Sequence, residues 1–144
     1  MKIVKASNGD MQTIFRHAKK VAVESTMGYA KGHEQHAVNG IKMALSNGYY
    51  LVAKEDHKLL GWVLVTGTID SIKNTYIGYI ADLYVLEEHR KKGIGNKLLK
   101  AGLNKCKQHG YKYVQLNVFA KNPAKNLYDE FGFEDLIHTM QIKI

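Results

Sequence analysis

The stretch DLYVLEEHRKKGIG, residues 82–95, connects an apolar strand to a helix, and this connection indicates the class of fold. Residues 75–85 are apolar at almost every position, which is typical of a central strand buried on both faces. An apolar stripe at helical spacing then predicts a helix from Ile94 to about His109. The first N–H groups of a helix lack internal partners, and the helix dipole makes them suited to an anion. The turn before this helix is therefore either a phosphate site or a simple tight turn.

Two common phosphate-binding motifs are excluded at this turn. Leu98 stands where the dinucleotide fingerprint has its third glycine. Gly95 is followed by Asn96-Lys97, whereas the phosphate loop of nucleotide hydrolases has a lysine and then serine or threonine. A phosphate at this position would therefore belong to another class of ligand.

The pattern of apolar residues and turns predicts one α/β (α+β mixed) domain over residues 1–144. The order strand, helix, strand around the turn implies a right-handed crossover, which would pair the strands before and after the helix in parallel. The hairpin that precedes them implies antiparallel pairing of its two strands. We therefore expect a mixed, mostly antiparallel central sheet with helices on both faces. The predicted strands are 2–5, 49–55, 59–66, 75–85, 113–119 and 134–144, and the predicted helices are 10–25 (capped by Asp10), 34–45, 94–109 and 123–132 (capped by Asn122).

Composition limits the class of protein. The formal charge of +8 favours anionic partners without choosing among nucleic acid, acidic membranes and phosphorylated small molecules. No apolar run approaches the roughly 20 residues of a membrane span, and the first residues show no signal-peptide pattern. The single cysteine, Cys106, lies in an apolar helical stripe, which predicts a buried structural thiol. We expect a cytoplasmic protein with no membrane partner.

Two segments together resemble the GNAT superfamily of N-acetyltransferases. Arg-x-x-Gly-x-Gly at residues 90–95, after a strand ending in Leu-Tyr-Val, resembles the acyl-CoA pyrophosphate loop of that family. NPAKNLYDEFGF at residues 122–133 resembles its second signature, an Asn, then Ala-x-x-Leu-Tyr and a closing Gly-Phe. The order of predicted elements also matches, so the resemblance covers nearly the whole chain.

The resemblance implies acetyl-CoA (coenzyme A) as cofactor and assigns roles to individual positions. Tyr128 matches the tyrosine that protonates the departing CoA thiolate, a role that a phenol can fill. Asn122 would either bind the pantetheine arm or only cap a helix. The backbone groups that would hold pantetheine belong to Leu83, Tyr84 and Val85, and the pyrophosphate loop comprises Arg90, Lys91, Lys92, Gly93, Ile94, Gly95 and Asn96.

The acceptor side is less defined. Asp82 is the candidate general base. In relatives that acetylate diamines a Glu precedes this Asp and is the family's usual base, but here Ala81 takes the place of that Glu. In a second interpretation, Asp82 therefore binds the acceptor and is not the base. The loop between the first two helices offers Tyr29, His33 and Glu34 as substrate contacts. The sequence HEQH at residues 33–36 is one residue shorter than the zinc motif, so no metal is expected.

These features predict acetyl transfer from acetyl-CoA to the primary amine of a small molecule by direct attack in a ternary complex. The alternatives are a protein or peptide N-acetyltransferase and a non-catalytic acyl-CoA-binding regulator. A nucleic-acid-binding protein is disfavoured because no aromatic-rich, base-stacking strand is present. A homodimer is compatible with such folds, but no sequence feature decides it.

Overall fold

The computed structural model describes all 144 residues and contains five strands and four α-helices. A single 3-10 turn, Glu87–His89, joins the fourth strand to the third helix. The mixed α/β class expected from the sequence is confirmed. The elements are β1 (Lys2–Lys5), α1 (Asn8–Ser25), α2 (Glu34–Leu45), β2 (Tyr49–Glu55), β3 (Lys58–Asp70), β4 (Thr75–Val85), α3 (Ile94–Gln108), β5 (Val114–Gln115) and α4 (Ala124–Phe131).

The strands form one sheet in the order β1-β2-β3-β4-β5. The first three pairings are antiparallel, and β4 pairs with β5 in parallel through the α3 crossover. The prediction of a mixed, mostly antiparallel sheet is therefore confirmed. None of the four α-helices has the length and hydropathy that a helix needs to cross a membrane.

The sheet has an apolar core on each face, as the alternation of side chains in β3 requires. Val63 and Val65 point towards α3, where they pack with Leu98 and Leu99. Trp62 belongs to the opposite core, with side chains of α1. All five are 0–1 % exposed. Helices on both faces are therefore confirmed, and α1 and α2 form one layer while α3 lies on the other side.

A β-bulge interrupts β4 at Ala81. Leu64 of β3 is opposite Asp82 and Val65 is opposite Ile80, so Ala81 has no partner on β3. On its other side, β4 pairs with β5 only at Gly78 and Tyr79. The backbone of β4 from residue 80 to residue 85 therefore has no strand beside it on the β5 side.

Cys106 is a buried thiol, as predicted. It is 0 % exposed and packs against Gly78, where an added Cβ would come within 2.8 Å of its Sγ. Burial raises the pKa of this thiol to about 11, so it stays protonated and unreactive at neutral pH.

The start of α1 differs from the prediction that Asp10 caps it. The N-cap is Ser7, whose Oγ accepts a hydrogen bond from the Asp10 N–H at 3.2 Å. The Asp10 carboxylate accepts in turn from the Ser7 N–H at 2.9 Å, which completes a capping box. Asp10 also forms an ion pair with Lys54 at 3.0 Å. The helix therefore begins before Asp10, at Asn8.

The prediction of a strand at residues 134–144 is wrong, because no residue of this segment pairs with the sheet. Its apolar side chains are exposed, for example 69 % at Leu136 and 90 % at Met140. The strand predicted at residues 113–119 is likewise reduced to Val114 and Gln115. A β-prone pattern forms a strand only where a neighbour offers backbone partners, and β5 is too short to offer them.

Candidate active site

The loop from Arg90 to Asn96 presents a row of unpaired backbone donors. No backbone carbonyl accepts a hydrogen bond from the N–H groups of residues 91 to 96. Lys91 (φ 63°) and Gly93 (φ 77°) are left-handed, which turns successive N–H groups of the loop inwards. The same N–H groups lead into the first turn of α3, where the helix dipole favours an anion. The loop can therefore bind a phosphate or pyrophosphate through its backbone.

The two glycines of this loop are needed for different reasons. Gly93 adopts a left-handed conformation, which a residue with a Cβ adopts only under strain. Gly95 has no such backbone requirement, and an added Cβ would meet only Leu127 at 3.7 Å and Val85 at 3.8 Å. Those are ordinary contacts, so protein packing does not demand glycine there. Glycine at this position leaves the backbone open to close approach by a ligand.

Arg90 is held by protein groups on both sides. Its Nη2 lies 2.6 Å from the Glu24 carboxylate on α1, and its Nε donates to the Val85 carbonyl at 2.9 Å. The guanidinium also lies 5.0 Å from the ring centre of Tyr84, whose hydroxyl donates to Glu24 at 2.8 Å. The side chain of Arg90 thus anchors the loop to α1 and β4. The exposed side chains of Lys91 and Lys92 add free positive charge.

Asp82 lies directly after the bulge, with its carboxylate below the α1–α2 layer. Its Oδ2 accepts hydrogen bonds from Trp62 Nε1 at 3.0 Å and from the Tyr50 hydroxyl at 3.3 Å. Burial raises the pKa of Asp82 to about 6, although these hydrogen bonds oppose the rise. A carboxylate with this pKa is ionised at neutral pH and is a stronger base than an ordinary aspartate.

Tyr128 projects from α4 into the core beside α3 and is 8 % exposed. Its ring packs edge-on against Phe133, with 5.8 Å between ring centres. Burial, together with the negative charge of Asp82, raises the pKa of Tyr128 to about 12. The phenol therefore stays protonated at neutral pH.

Asn122 caps α4 and joins it to α1. Its Oδ1 accepts a hydrogen bond from the Ala124 N–H at 2.9 Å, and its Nδ2 donates to the Ser25 carbonyl at 3.0 Å. The helix begins at Ala124, so Pro123 lies just before the first helical position predicted for it, and the capping oxygen comes from Asn122, one residue earlier. Of the two roles left open by the sequence, the capping role is present in the Oδ1 bond, and the Nδ2 bond to Ser25 leaves both polar ends of the amide with protein partners.

A cavity of about 110 Å³ opens between α1, α2 and the sheet, with Asp82 in its wall. Its lining does not include Tyr29, His33 or Glu34, the acceptor contacts predicted from the sequence. Tyr29 is 64 % exposed and packs on Phe119, with 5.6 Å between ring centres. His33 is exposed ahead of α2, and the Glu34 carboxylate accepts a hydrogen bond from the Gly32 N–H. The structure thus brings Asp82 to the cavity and leaves these three at the rim of the α1–α2 connection.

Trp62 and Tyr50 are the members of this site that the sequence analysis missed. They lie 20 and 32 residues from Asp82 in the chain. The signal that could have revealed Trp62 is the antiparallel register of β3 and β4. Trp62 lies opposite Tyr84, and Tyr84 follows Asp82 by two residues and shares its face of the sheet. No group of three or more His, Cys, Asp or Glu side chains is arranged to hold a metal ion.

Similarity to known proteins agrees with this geometry. The sequence model of the acetyltransferase (GNAT) family matches residues 11–133. An uncharacterised N-acetyltransferase of Bacillus subtilis, YhfO, is 31 % identical over 86 residues, which cover 59 % of this chain and 58 % of YhfO. An N-alpha-acetyltransferase of Sulfurisphaera tokodaii is 30 % identical over 95 residues, which cover 60 % of this chain and 57 % of that protein. The matches thus span less than two thirds of these relatives.

Solved structures match along the full length. A Pyrococcus furiosus protein described as an acetyl transferase has a TM-score of 0.77 and 25 % identity, with 99 % of each chain covered. An aminoglycoside 6'-N-acetyltransferase of Acinetobacter haemolyticus has a TM-score of 0.70 and 16 % identity, covering 100 % of this chain and 98 % of the other. At that identity the second match shows the fold alone. The family model, the related sequences and the fold agree, and the chain belongs to the GNAT family of acetyltransferases.

Proposed function

We propose that this protein is a cytoplasmic N-acetyltransferase that moves the acetyl group of acetyl-CoA to the primary amine of a small molecule, by direct attack in a ternary complex. The observation that carries the proposal is the row of unpaired N–H groups from residue 91 to residue 96. This row follows the open side of β4, close to the pair Asp82 and Tyr128. The CoA site and the base would then lie on this stretch of β4, and the acid, Tyr128, packs in the α3 core with Leu83 of the same stretch.

The chain's own groups fit the two polar parts of the cofactor. The N–H groups of residues 91–96 would hold the pyrophosphate, and Lys91 and Lys92 would add charge. The backbone of Leu83, Tyr84 and Val85 has no strand on the β5 side and would pair with the amides of the pantetheine arm. Arg90 and Asn122 would contribute by fixing the loop and α4, since their side chains already have protein partners.

Asp82 and Tyr128 would handle the two protons of the reaction. Acetyl-CoA supplies an acetyl group activated as a thioester. The acceptor arrives as an ammonium ion, and Asp82, with its pKa of about 6, accepts the proton that the nitrogen must lose. Tyr128, protonated at neutral pH, donates its proton to the sulfur that leaves. The nitrogen loses a second proton once the N–C bond has formed, and this proton restores the Tyr128 hydroxyl. The C–S bond is broken, and the products are an amide, free CoA and a protonated Asp82.

A peptide N-terminus is the second candidate acceptor, because the relative from Sulfurisphaera tokodaii is an N-alpha-acetyltransferase. The cavity of about 110 Å³ favours a small molecule instead, since a peptide would also need partners for its backbone amides. The wall of the cavity is mostly apolar and offers few such partners.

The test is a titration with acetyl-CoA by calorimetry, followed by measurement of free thiol released with small amines and with short peptides. We expect saturable binding and amine-dependent thiol release. Failure to bind acetyl-CoA would contradict the cofactor assignment. Binding without thiol release for any amine or peptide would identify a non-catalytic acyl-CoA-binding protein.

A further inference from the structure

The cavity beside Asp82 has walls that suit a hydrocarbon. Ten of its thirteen lining residues are hydrophobic. Ile14 and Val21 of α1 face Val38 and Ile41 of α2 across it, and Trp62 forms part of the sheet wall. Alanines at positions 18, 22, 37 and 81 leave the space that larger side chains would fill. A ligand body inside would be surrounded mainly by side chains that cannot form hydrogen bonds.

The polar groups of the cavity can satisfy only one cation. Asp82 is the single charged residue in the lining, and both of its side-chain donors bind the same oxygen, Oδ2. No side chain donates to its Oδ1, which can therefore pair with an ammonium group, although the Leu83 N–H also lies near the carboxylate. The other polar residues of the lining, Ser25 and Thr26, are uncharged and cannot neutralise a second cation. The Thr26 hydroxyl is also already satisfied, since it donates to the Ala22 carbonyl at 2.7 Å and accepts from the Ala30 N–H at 3.0 Å.

We propose that the acceptor is a small apolar monoamine, with one ammonium group at Asp82 and a short hydrocarbon body between α1 and α2. The proposal rests on the acetyl-transfer function above. A second ammonium on the acceptor would lie unpaired among aliphatic side chains, and burying an unpaired charge is strongly unfavourable. A carboxylate on the acceptor would also be buried without a partner, because no cationic side chain lines the cavity.

The volume sets the size of the acceptor body. At about 110 Å³ the cavity is somewhat smaller than one of about 150 Å³ that admits benzene. A body of about four or five carbon atoms is therefore the best match. Polycationic sugars and polyamines are larger than the cavity and carry more positive charges than the single carboxylate can neutralise.

Three acceptors with the same four-carbon chain test the proposal: butylamine, 1,4-diaminobutane and 4-aminobutyrate. They end in a methyl group, an ammonium group and a carboxylate. We expect kcat/KM for butylamine, measured by thiol release from acetyl-CoA, to exceed that for each of the others by at least about thirtyfold. Equal rates, or a preference for either charged compound, would overturn the monoamine proposal while leaving acetyl transfer intact.

Binding of the acceptor can be followed without catalysis. Trp62 is the only tryptophan of the chain, and it donates a hydrogen bond to Asp82 at the cavity wall. We expect butylamine to change the Trp62 fluorescence saturably in the absence of acetyl-CoA, and the two charged compounds to do so at much higher concentration. This pattern without any thiol release would keep the acceptor preference and contradict the proposed function. No selective change with butylamine would refute the preference.

A charge introduced in the cavity should alter the preference. Ile41 lines it from α2 and is only half-buried, so Ile41→Glu would place a second carboxylate opposite Asp82 with little loss of packing. We expect this variant to raise the 1,4-diaminobutane to butylamine ratio of kcat/KM at least about tenfold. The matched variant Ile41→Gln has the same size without the charge and should not favour the diamine. If both variants shift the ratio equally, charge pairing in the cavity is refuted.

Discussion

Asp82→Asn should make the protein more stable at neutral pH, although it removes a group of the candidate active site. The folded protein keeps the Asp82 carboxyl in a buried position, where ionisation is unfavourable. Asparagine has nearly the same shape and carries no charge, and its Oδ1 can still accept hydrogen bonds from Trp62 and Tyr50. The substitution therefore isolates the free-energy penalty of ionising this one side chain.

The size and sign of the effect follow from two pKa values. The pKa of Asp82 rises from 3.8 to about 6 on folding. The folded state therefore holds this proton more tightly than the unfolded chain, and the free energy of unfolding falls as the pH rises between these values. At about 1.4 kcal/mol for each pKa unit, the wild-type protein loses about 3 kcal/mol by pH 7, and the asparagine variant does not.

The assay is urea unfolding of the unliganded wild-type and Asp82→Asn proteins at a series of pH values from about 3.5 to about 8. All other titrating groups are shared, so the difference in unfolding free energy between the two proteins reports Asp82 alone. We expect that difference to grow in favour of the variant between pH 4 and pH 6 and then stay constant. A difference that does not change with pH would refute the raised pKa and, with it, the role of Asp82 as a base tuned towards neutrality.

Two further substitutions test the rest of the site. Tyr128→Phe should lower kcat while the Kd of acetyl-CoA measured by calorimetry stays nearly unchanged, because the hydroxyl acts on the leaving sulfur; unchanged turnover would remove Tyr128 from the acid role. Gly95→Ala should keep or raise the melting temperature, since alanine is the better helix former by up to about 1 kcal/mol, while it weakens acetyl-CoA binding. Its control, Gly93→Ala, should lose about 1 kcal/mol of stability in the unliganded protein through its left-handed backbone. Unaltered acetyl-CoA affinity in Gly95→Ala would contradict binding at the N–H row.

Local patterns predicted most of the fold. The bounds of α2 and β4 match the predicted 34–45 and 75–85, because apolar spacing and turn residues are properties of the segment itself. The segment at residues 134–144 has the same kind of pattern and forms no strand. Whether an extended segment joins a sheet depends on a neighbour far away in the chain, and that information is not local.

The candidate site, like the fold, was predicted from the sequence only where its residues are adjacent in the chain. The loop at residues 90–96 was found from sequence because all its parts are adjacent in the chain. The environment of Asp82 was not, since its donors on β2 and β3 reach it only through the register of the sheet. The roles of Tyr29, His33 and Glu34 stay predictions, since they lie outside the cavity and a bound acceptor would have to extend beyond it to meet them.

The bulge at Ala81 changes which side of the sheet each later residue of β4 faces. Before it, Ile80 packs in the α3 core; after it, Leu83 packs in that same core although three positions separate them, while Ala81 and Asp82 both face the cavity. In an uninterrupted strand, side chains two apart share a face, so Asp82 would point with Ile80 into the α3 core. The position of the carboxylate thus depends on the number of residues before it as well as on the residue itself. Deleting Ala81 would leave Ile80 opposite Val65 and Asp82 opposite Leu64 as they are now, so the side chains of the site would keep their faces and the strand would lose only its extra residue and local bend.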